Sequence, residues 1–422
     1  MAGIKFAPFS VQQLKVLTWW CDNSPVKGKN GIIADGAIRS GKTVAMSLSF
    51  VFWAMETFDG MNFAMCGKTI SSFRRNVLSF LLPMLETRGY TVQYRRSDNV
   101  IQVHRKGNIN YFYVFGGKDE SSQDLIQGMT LAGAFFDEAA LMPESFVLQA
   151  TARCSVTGSK FWFNCNPENP HHWFYEGWIK EEKRKEKNII YLHFTMEDNL
   201  SLSEETKARY RSMYSGVFYA RFILGEWKIA EGLIYDMFSD SENIVALPKT
   251  EELIGSAYIS CDYGTLNPTV FLMWRKLHNK WVCVKEYYYN SRKTNTQKTD
   301  ADYAQDLADF IGDVSYQCII VDPSAASFIA ELMRRGLKVI RADNTVLDGI
   351  RLTGKLLHQR ELLFTKDCIN TIAEFGAYHW DDKAAEHGED KPVKQDDHAM
   401  DAVRYFVSTV LGRVVGGHAR RK

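Results

Sequence analysis

The stretch Gly36-Ala37-Ile38-Arg39-Ser40-Gly41-Lys42-Thr43 limits what this chain can fold into more than any other. Its spacing, G-x-x-x-x-G-K-T, is that of a phosphate-binding loop. Glycines let the backbone curl until successive N–H groups point at one anion. The helix that follows adds its positive end. Lys42 places a point charge near the β- and γ-phosphates of a nucleotide, and the Thr43 hydroxyl can ligate Mg²⁺. The flanks agree with this. Gly31-Ile32-Ile33-Ala34 reads as a short buried strand and Val44 to Phe58 as an apolar helix, so strand, loop and helix follow in the required order. Gly36, Arg39, Ser40, Gly41, Lys42 and Thr43 are the candidate nucleotide contacts; the alternative is a glycine-rich turn that binds nothing.

A length of 422 residues suggests two or three domains. Hydrophobic residues at 45% and charged residues at 24% are ordinary for a globular chain and exclude a disordered or fibrous class. No apolar run approaches the length of a membrane span, and no basic region followed by an apolar core and cleavage site opens the chain. The expectation is an intracellular protein with no membrane partner. A formal charge of +1 favours no partner class, so any DNA contact must come from local patches. The eight cysteines form no C-x-x-C pair, which argues against a disulfide framework or a zinc ribbon.

In the first half, Phe6 to Gln13 admits two readings. A Gln, either Gln12 or Gln13, bonds the adenine edge while Phe9 stacks on the ring; or Pro8 and Ser10 simply start a helix through Leu14, Leu17 and Trp20. Asn62 to Cys66 reads as a strand and Thr69 to Leu82 as a helix with Arg74 and Arg75 on a solvated face. Strands are expected at 92–94, 101–104 and 110–115. Leu131 to Phe136 is a near-continuous apolar run that suits a buried parallel strand, and Asp137 and Glu138 sit at its carboxyl end, where open α/β sheets place ligands. Asp137 would hold the Mg²⁺ shell and Glu138 would polarise the attacking water. A helix cap is the simpler alternative for that pair. Strand Lys160 to Phe163 leads into Asn164-Cys165-Asn166-Pro167, where an Asn could sense the γ-phosphate or merely open a turn. Glu181 to Lys187 reads as a solvated helix face or loop, and Ser203 to Leu224 as helical, with Ser203 as cap and Glu205 or Thr206 in the first turn.

In the second half, Ala257 to Gly264 is strand-like and carries Asp262 near its end. Thr269 to Trp274 and Trp281 to Tyr289 continue as strands. A helix from about Thr299 to Ile311 leads to Cys318-Ile319-Ile320-Val321, which ends on Asp322. Helix Ala326 to Arg335 and strand Lys338 to Ile340 follow. On a C-terminal helix, Asp397, His398 and Asp401 would share one face, with Met400, Val403, Val407 and Val410 underneath. Strand acid, strand acid, helix acid is the layout of an RNase H-like nuclease. Such chemistry holds two divalent ions about 4 Å apart with oxygen ligands. The fold expected is α/β in two parts: a P-loop ATPase domain of RecA/ASCE-like type at 1–228, a linker at 229–255 and an RNase H-like endonuclease domain at 256–422.

With these residues in view, the chain resembles the large terminase subunit of tailed bacteriophages, most closely the headful-packaging branch that includes Bacillus phage terminases. The resemblance runs through Gly36 to Thr43, Gln127-Gly128-Met129-Thr130 to Asp137-Glu138, Asn164 to Pro167, Asp262-Tyr263-Gly264, Asp322 and Asp397 to Tyr405. It implies an ATPase that drives double-stranded DNA into a procapsid and a Mg²⁺- or Mn²⁺-dependent endonuclease that cuts the concatemer. It implies that Arg39 supports the γ-phosphate or relays hydrolysis and that Asn166 lies in a coupling motif. Gln12 or Gln13 would read adenine. Asp262, Asp322 and Asp401 would be the nuclease acids, beside His398 and an accessory Asp397. The charged stretch Asp381 to Gln395 resembles a hairpin near the nuclease cleft, either a gate for DNA or a solvated loop. Implied partners are DNA, a small terminase subunit and the portal, with several copies forming a ring there. The implied location is the cytoplasm of the infected host, not the mature virion. Competing readings are a repair-type helicase-nuclease, which should carry a second RecA-like core not seen in this sequence, and a portal-docking assembly component with a non-catalytic nuclease half.

Overall fold

The computed structural model describes residues 8–412. Phe6 and Ala7 of the adenine-reading stretch, and residues 413–422 of the expected second domain, lie outside the described residues. Contacts divide the chain into two units, the first formed mainly by residues up to Arg211 and the second mainly by residues from Ala230 onward.

The first unit is built on an eight-stranded sheet. Its strands are β1 (Gly31–Gly36), β2 (Asn62–Gly67), β3 (Thr91–Arg95), β4 (Val100–Arg105), β5 (Asn108–Gly116), β6 (Gly133–Phe136), β7 (Lys160–Asn164) and β8 (Ile189–Phe194), in the order β3-β4-β5-β2-β6-β7-β1-β8. From β5 to β8 all pairs are parallel; β3 and β4 extend the edge in antiparallel fashion. Every residue of β1 and β6 is buried, as near-continuous apolar runs require of strands covered on both faces, with Asp35 the one acid within β1. Helix α1 (Val11–Thr18) and helix α2 (Lys42–Thr57) lie on one face. There Phe50 and Trp53 of α2 pack on Trp162 with ring centroids 5.2 and 4.8 Å apart. On the other face Phe163 stacks on Phe136 and meets Trp178.

Two expectations are refined by the structure. Residues 203–224 are helical, as expected, but in pieces: Glu204–Arg211 is followed by Gly216–Tyr219 and a π-turn at Ala220–Leu224. Gly216, at φ +52°, sits at the break. Arg74 does not face solvent alone. It lies in a π-turn (Arg74–Leu78) and donates to the Tyr94 hydroxyl, to Arg96 O at 3.1 Å and to Asn99 Oδ1, so it ties its helix to the β3–β4 hairpin.

The second unit holds β9 (Ile244–Val245), β10 (Leu253–Asp262), β11 (Thr269–Leu277), β12 (Lys280–Tyr289), β13 (Tyr316–Val321), β14 (Val339–Arg341) and β15 (Leu362–Thr365). The order is β14-β13-β10-β11-β12-β15-β9. Antiparallel β10-β11-β12 with β13 and β14 added in parallel beside β10 is an RNase H-like sheet. Helix α3 (Asp300–Ile311) starts at Thr299, whose hydroxyl accepts from Asp302 N. Helix α4 (Ala326–Arg334), α5 (Val346–His358) and α6 (Ile369–Phe375) follow, and α7 (His398–Phe406) packs on β10 and β11, with Phe406 stacked on Trp274 at 4.4 Å. Residues 229–255, expected as a linker, instead bring Ala230, Ile234 and Tyr235 into the core of this unit and supply β9. Among the described residues no helix is long and apolar enough to cross a membrane.

Candidate functional site

The loop after β1 has the shape its glycines predict. Gly36 and Gly41 have φ of +119° and +84°, and a Cβ on Gly36 would stand 2.0 Å from Phe194 O. Arg39 is also left-handed, at φ +57°. Lys42 is buried. Its Nζ donates to Gly36 O at 3.0 Å, Ala37 O at 2.7 Å, Ser40 Oγ at 3.2 Å and Asn166 Oδ1 at 3.3 Å. Burial brings its pKa down to about 8, against the pull of Cys165, Asp35, Asp137 and Glu138.

The tips of β6 and β7 close on this loop. Thr43 Oγ1 donates to Asp137 Oδ1 at 3.1 Å. Asn164 Nδ2 donates to the same oxygen at 2.8 Å and to Thr43 Oγ1 at 3.3 Å. Asn164 Oδ1 accepts the backbone N–H of Glu138 at 2.9 Å, which holds Glu138 in a left-handed conformation at φ +61°. Burial raises the pKa of both Asp137 and Glu138, and the Asp137 charge raises Glu138 further. A cavity of about 550 Å³ opens over these groups, a size suited to a nucleotide. Thr43 and Asp137 together offer a hydroxyl and a carboxylate oxygen, a donor set that fits Mg²⁺.

Arg39 lines the same cavity, and it and the remaining expected residues are held by further partners. The Arg39 guanidinium lies 5.4 Å from the Tyr210 ring centroid, while its carbonyl accepts from Asn199 Nδ2 at 2.7 Å. Gln13 completes a capping box with Ser10 at the start of α1, so its carbonyl oxygen is engaged. Gln12 Nε2 donates to His193 O at 3.0 Å, and Gln12 Oε1 is buried without a partner. Phe9 packs against the apolar core. Arg75 is exposed, in keeping with the expected solvated face, and also lines the cavity. Sequence reasoning missed Asn164, although Asn164 and Asn166 stand in one polar tip. It also missed Asp35, which is buried under the loop and accepts from Tyr191 Oη at 2.9 Å and Trp227 Nε1 at 2.7 Å. A single acid inside an apolar strand was the available signal.

In the second unit the acids gather at the ends of β10 and β13 and at the start of α7. Asp262 Oδ2 and His398 Nδ1 are 2.9 Å apart, and Tyr405 Oη donates to Asp262 Oδ1 at 3.4 Å. Burial pushes Asp262 up to about 6, against its bond to His398 and with added repulsion from Asp401 and Asp397. Asp322 accepts from Ser324 N at 2.7 Å and Asn344 Nδ2 at 3.2 Å; these bonds and one to Tyr405 outweigh its burial and lower its pKa. Asp401 Oδ1 accepts from Arg404 Nη2 at 2.7 Å, and Gly349 of α5 leaves the room Arg404 needs, since a Cβ there would meet its side chain at 2.4 Å. Asp397 stands at the cap of α7, not within it as expected, yet Lys394 Nζ reaches both Asp397 Oδ2 at 3.1 Å and Asp401 Oδ2 at 3.4 Å. Glu374 of α6, which sequence reasoning missed, accepts from Ala399 N at 2.7 Å and Met400 N at 3.2 Å and so caps α7 from another element. Residues 381–395 contain a short helix, Asp382–Glu386, and the two ends of the stretch pair in antiparallel fashion around the Trp380–Pro392 bridge, with Asp381 N donating to Lys391 O at 2.8 Å and Val393 N to His379 O at 3.0 Å.

The donor chemistry of Asp262, Asp322 and Asp401 fits a hard divalent cation. Their present geometry is taken up by protein partners, and among the described residues no group of three or more His, Cys, Asp or Glu is arranged to hold a metal ion. Asp262, Asp397, His398 and Asp401 line a cavity of about 620 Å³; Asp322 lies outside its lining.

A family model described as the N-terminal part of the terminase large subunit, T4likevirus-type, matches residues 33–239. The curated proteins give no match. Among solved structures, the large terminase of a thermophilic bacteriophage is 58% identical over 96% of this chain and 100% of that chain, with a TM-score of 0.87. The same phage's large terminase in complex with ADP is 57% identical and in complex with ATP-γ-S 56% identical, each over 96% and 100% of the two chains with a TM-score of 0.82.

Proposed function

This chain belongs to the large terminase subunits of tailed bacteriophages, ATP-driven motors of DNA packaging, and we propose that it also cuts the DNA it packages with the carboxylates of its second unit. The chain is an ATPase. The observation that carries the residue assignment in the first unit is the contact of Thr43 with Asp137 inside one cavity with Lys42 and Glu138.

In this reading the loop N–H groups and the end of α2 bind the β- and γ-phosphates. Lys42 turns from the loop carbonyls to the phosphate oxygens. Thr43 and Asp137 hold Mg²⁺, which supplies charge neutralisation. Glu138, kept in place by Asn164, polarises the water, and Asn166, already bonded to Lys42, senses the terminal phosphate. Arg39 leaves Tyr210 to reach the nucleotide. Gln12 or Gln13 reads the base.

In the second unit Asp262, Asp322 and Asp401, with Asp397 accessory, hold Mg²⁺ or Mn²⁺, which supplies Lewis acidity. His398 orients Asp262 through the contact of its Nδ1 with Asp262 Oδ2. The partners proposed are double-stranded DNA, a small terminase subunit and a portal carrying several copies of this chain, in the cytoplasm of the infected host.

The test is plasmid cleavage by the full chain in Mg²⁺, Mn²⁺ and EDTA, beside Asp262→Ala, with ATP turnover measured in parallel on Glu138→Ala. Metal-dependent cutting that vanishes in the first variant, and turnover that vanishes in the second, support both halves. Cutting by Asp262→Ala at the parent rate removes the nuclease assignment; full turnover in Glu138→Ala removes that of the catalytic carboxylate.

A further inference from the structure

The carboxylate cluster carries its own cation. Lys394 Nζ bridges Asp397 Oδ2 and Asp401 Oδ2 at 3.1 and 3.4 Å. Both aspartates are buried, at 5% and 8% exposure, whereas the Lys394 side chain keeps 65% of its surface open. Arg404 is different. Its side chain is 3% exposed, and it is locked by Asp401 Oδ1 and by the Asn344 carbonyl at 2.6 Å. Arg404 is therefore a fixed charge and Lys394 a removable one, on a flexible stem with a way out to water.

Charge balance says what removal does. Asp262, Asp322, Asp397 and Asp401 carry four negative charges when ionised, and, with the His398 imidazole beside Asp262 neutral, Lys394 and Arg404 offset two of them. What remains matches one divalent ion. A second divalent ion entering beside Lys394 would make the cluster net positive. With Lys394 withdrawn and a phosphodiester present, two divalent ions are balanced. A phosphate is also the group that would take over the ammonium.

We propose that Lys394 is a built-in counter-cation that competes with divalent metal for Asp397 and Asp401, so that full metal loading waits until DNA draws the ammonium away. This rests on the nuclease reading above. It makes the site weak for metal in the absence of DNA and links cutting to occupancy by substrate.

The test is calorimetric Mn²⁺ binding to the full chain without DNA, for the parent, Lys394→Met, Lys394→Arg and Arg292→Gln. Arg292 lines the same cavity, with its guanidinium held by Asn267 Oδ1 at 3.0 Å, and so reports diffuse charge. The expected result is Mn²⁺ affinity raised about tenfold or more in Lys394→Met, unchanged in Lys394→Arg and Arg292→Gln, and the gain lost when Asp401→Asn is added. Equal affinity in Lys394→Met and parent overturns the proposal, as does an equal gain in Arg292→Gln. Failure of the nuclease reading looks different: Mn²⁺ binding is then insensitive to Asp401→Asn in every variant, and plasmid stays intact.

Discussion

The backbone N–H of Glu138 donates to Asn164 Oδ1 at 2.9 Å, so the residue that polarises water in the proposed mechanism is aimed by a side chain from the neighbouring strand. The same Asn164 amide nitrogen touches Asp137 and Thr43. One buried side chain thus sets the spacing of three groups that chain order alone leaves independent.

Replacing Asn164 with Ala should lower the ATP turnover number about a hundredfold, the scale of a displaced general base, while nucleotide affinity changes by no more than about threefold. Steady-state turnover and equilibrium binding of a fluorescent ATP analogue check this. A loss seen in affinity alone would assign Asn164 to binding.

Gln12 and Gln13 should separate by phenotype. Gln13→Ala breaks the capping box and should cost about 1 kcal/mol of stability with base selectivity intact. Gln12→Ala removes the buried free acceptor Oε1 and should raise the KM for ATP about tenfold while bringing GTP closer to ATP. Turnover with both nucleotides, beside thermal melts, distinguishes them; the reverse pattern would make Gln13 the base reader.

Glu374 should give the metal-free protein a pH-dependent stability. Burial pushes its pKa up to about 7, against its bonds to Tyr288, Met400 and Ala399. A folded pKa above the unfolded one means stability that is complete below about pH 4.3 and is lost as pH rises through about 7, at up to about 1.4 kcal/mol per pH unit. The melting temperature of the parent should therefore fall between about pH 4.3 and about pH 7 and level off above that. Glu374→Gln, which keeps an acceptor for the α7 N–H groups, should flatten that part of the curve. Identical slopes in calorimetric scans of the two proteins would place the titrating group elsewhere.

Arg74→Ala should destabilise without touching chemistry. It strips donors from Tyr94, Arg96 O and Asn99, and should cost about 1–3 kcal/mol with ATP turnover at 25 °C unchanged. Denaturant unfolding and a turnover assay suffice. A drop in turnover at full stability would show that the β3–β4 hairpin reports to the nucleotide cavity.

What the sequence made legible was local. Gly36 to Thr43 carries its own geometry, because positive φ at Gly36 and Gly41 is a property of those residues and the helix follows at once. The apolar strands ending in Asp137, Asp262 and Asp322 were visible because a buried strand needs an unbroken apolar run and a ligand sits where the run stops. Helix α5 was not, since Gly349 and Gly354 dilute its propensity; Gly349 is there to admit Arg404.

By itself the sequence determined the phosphate loop and which carboxylates stand at strand ends, since each depends on residues adjacent in the chain. Only the tertiary structure decided which side chains hold those carboxylates. Asn164 meets Glu138 across 26 positions, His398 meets Asp262 across 136, and Glu374 caps a helix that begins 24 residues later. Such bonds are set by strand order and helix packing, which place residues within 3 Å of one another with no trace in local spacing.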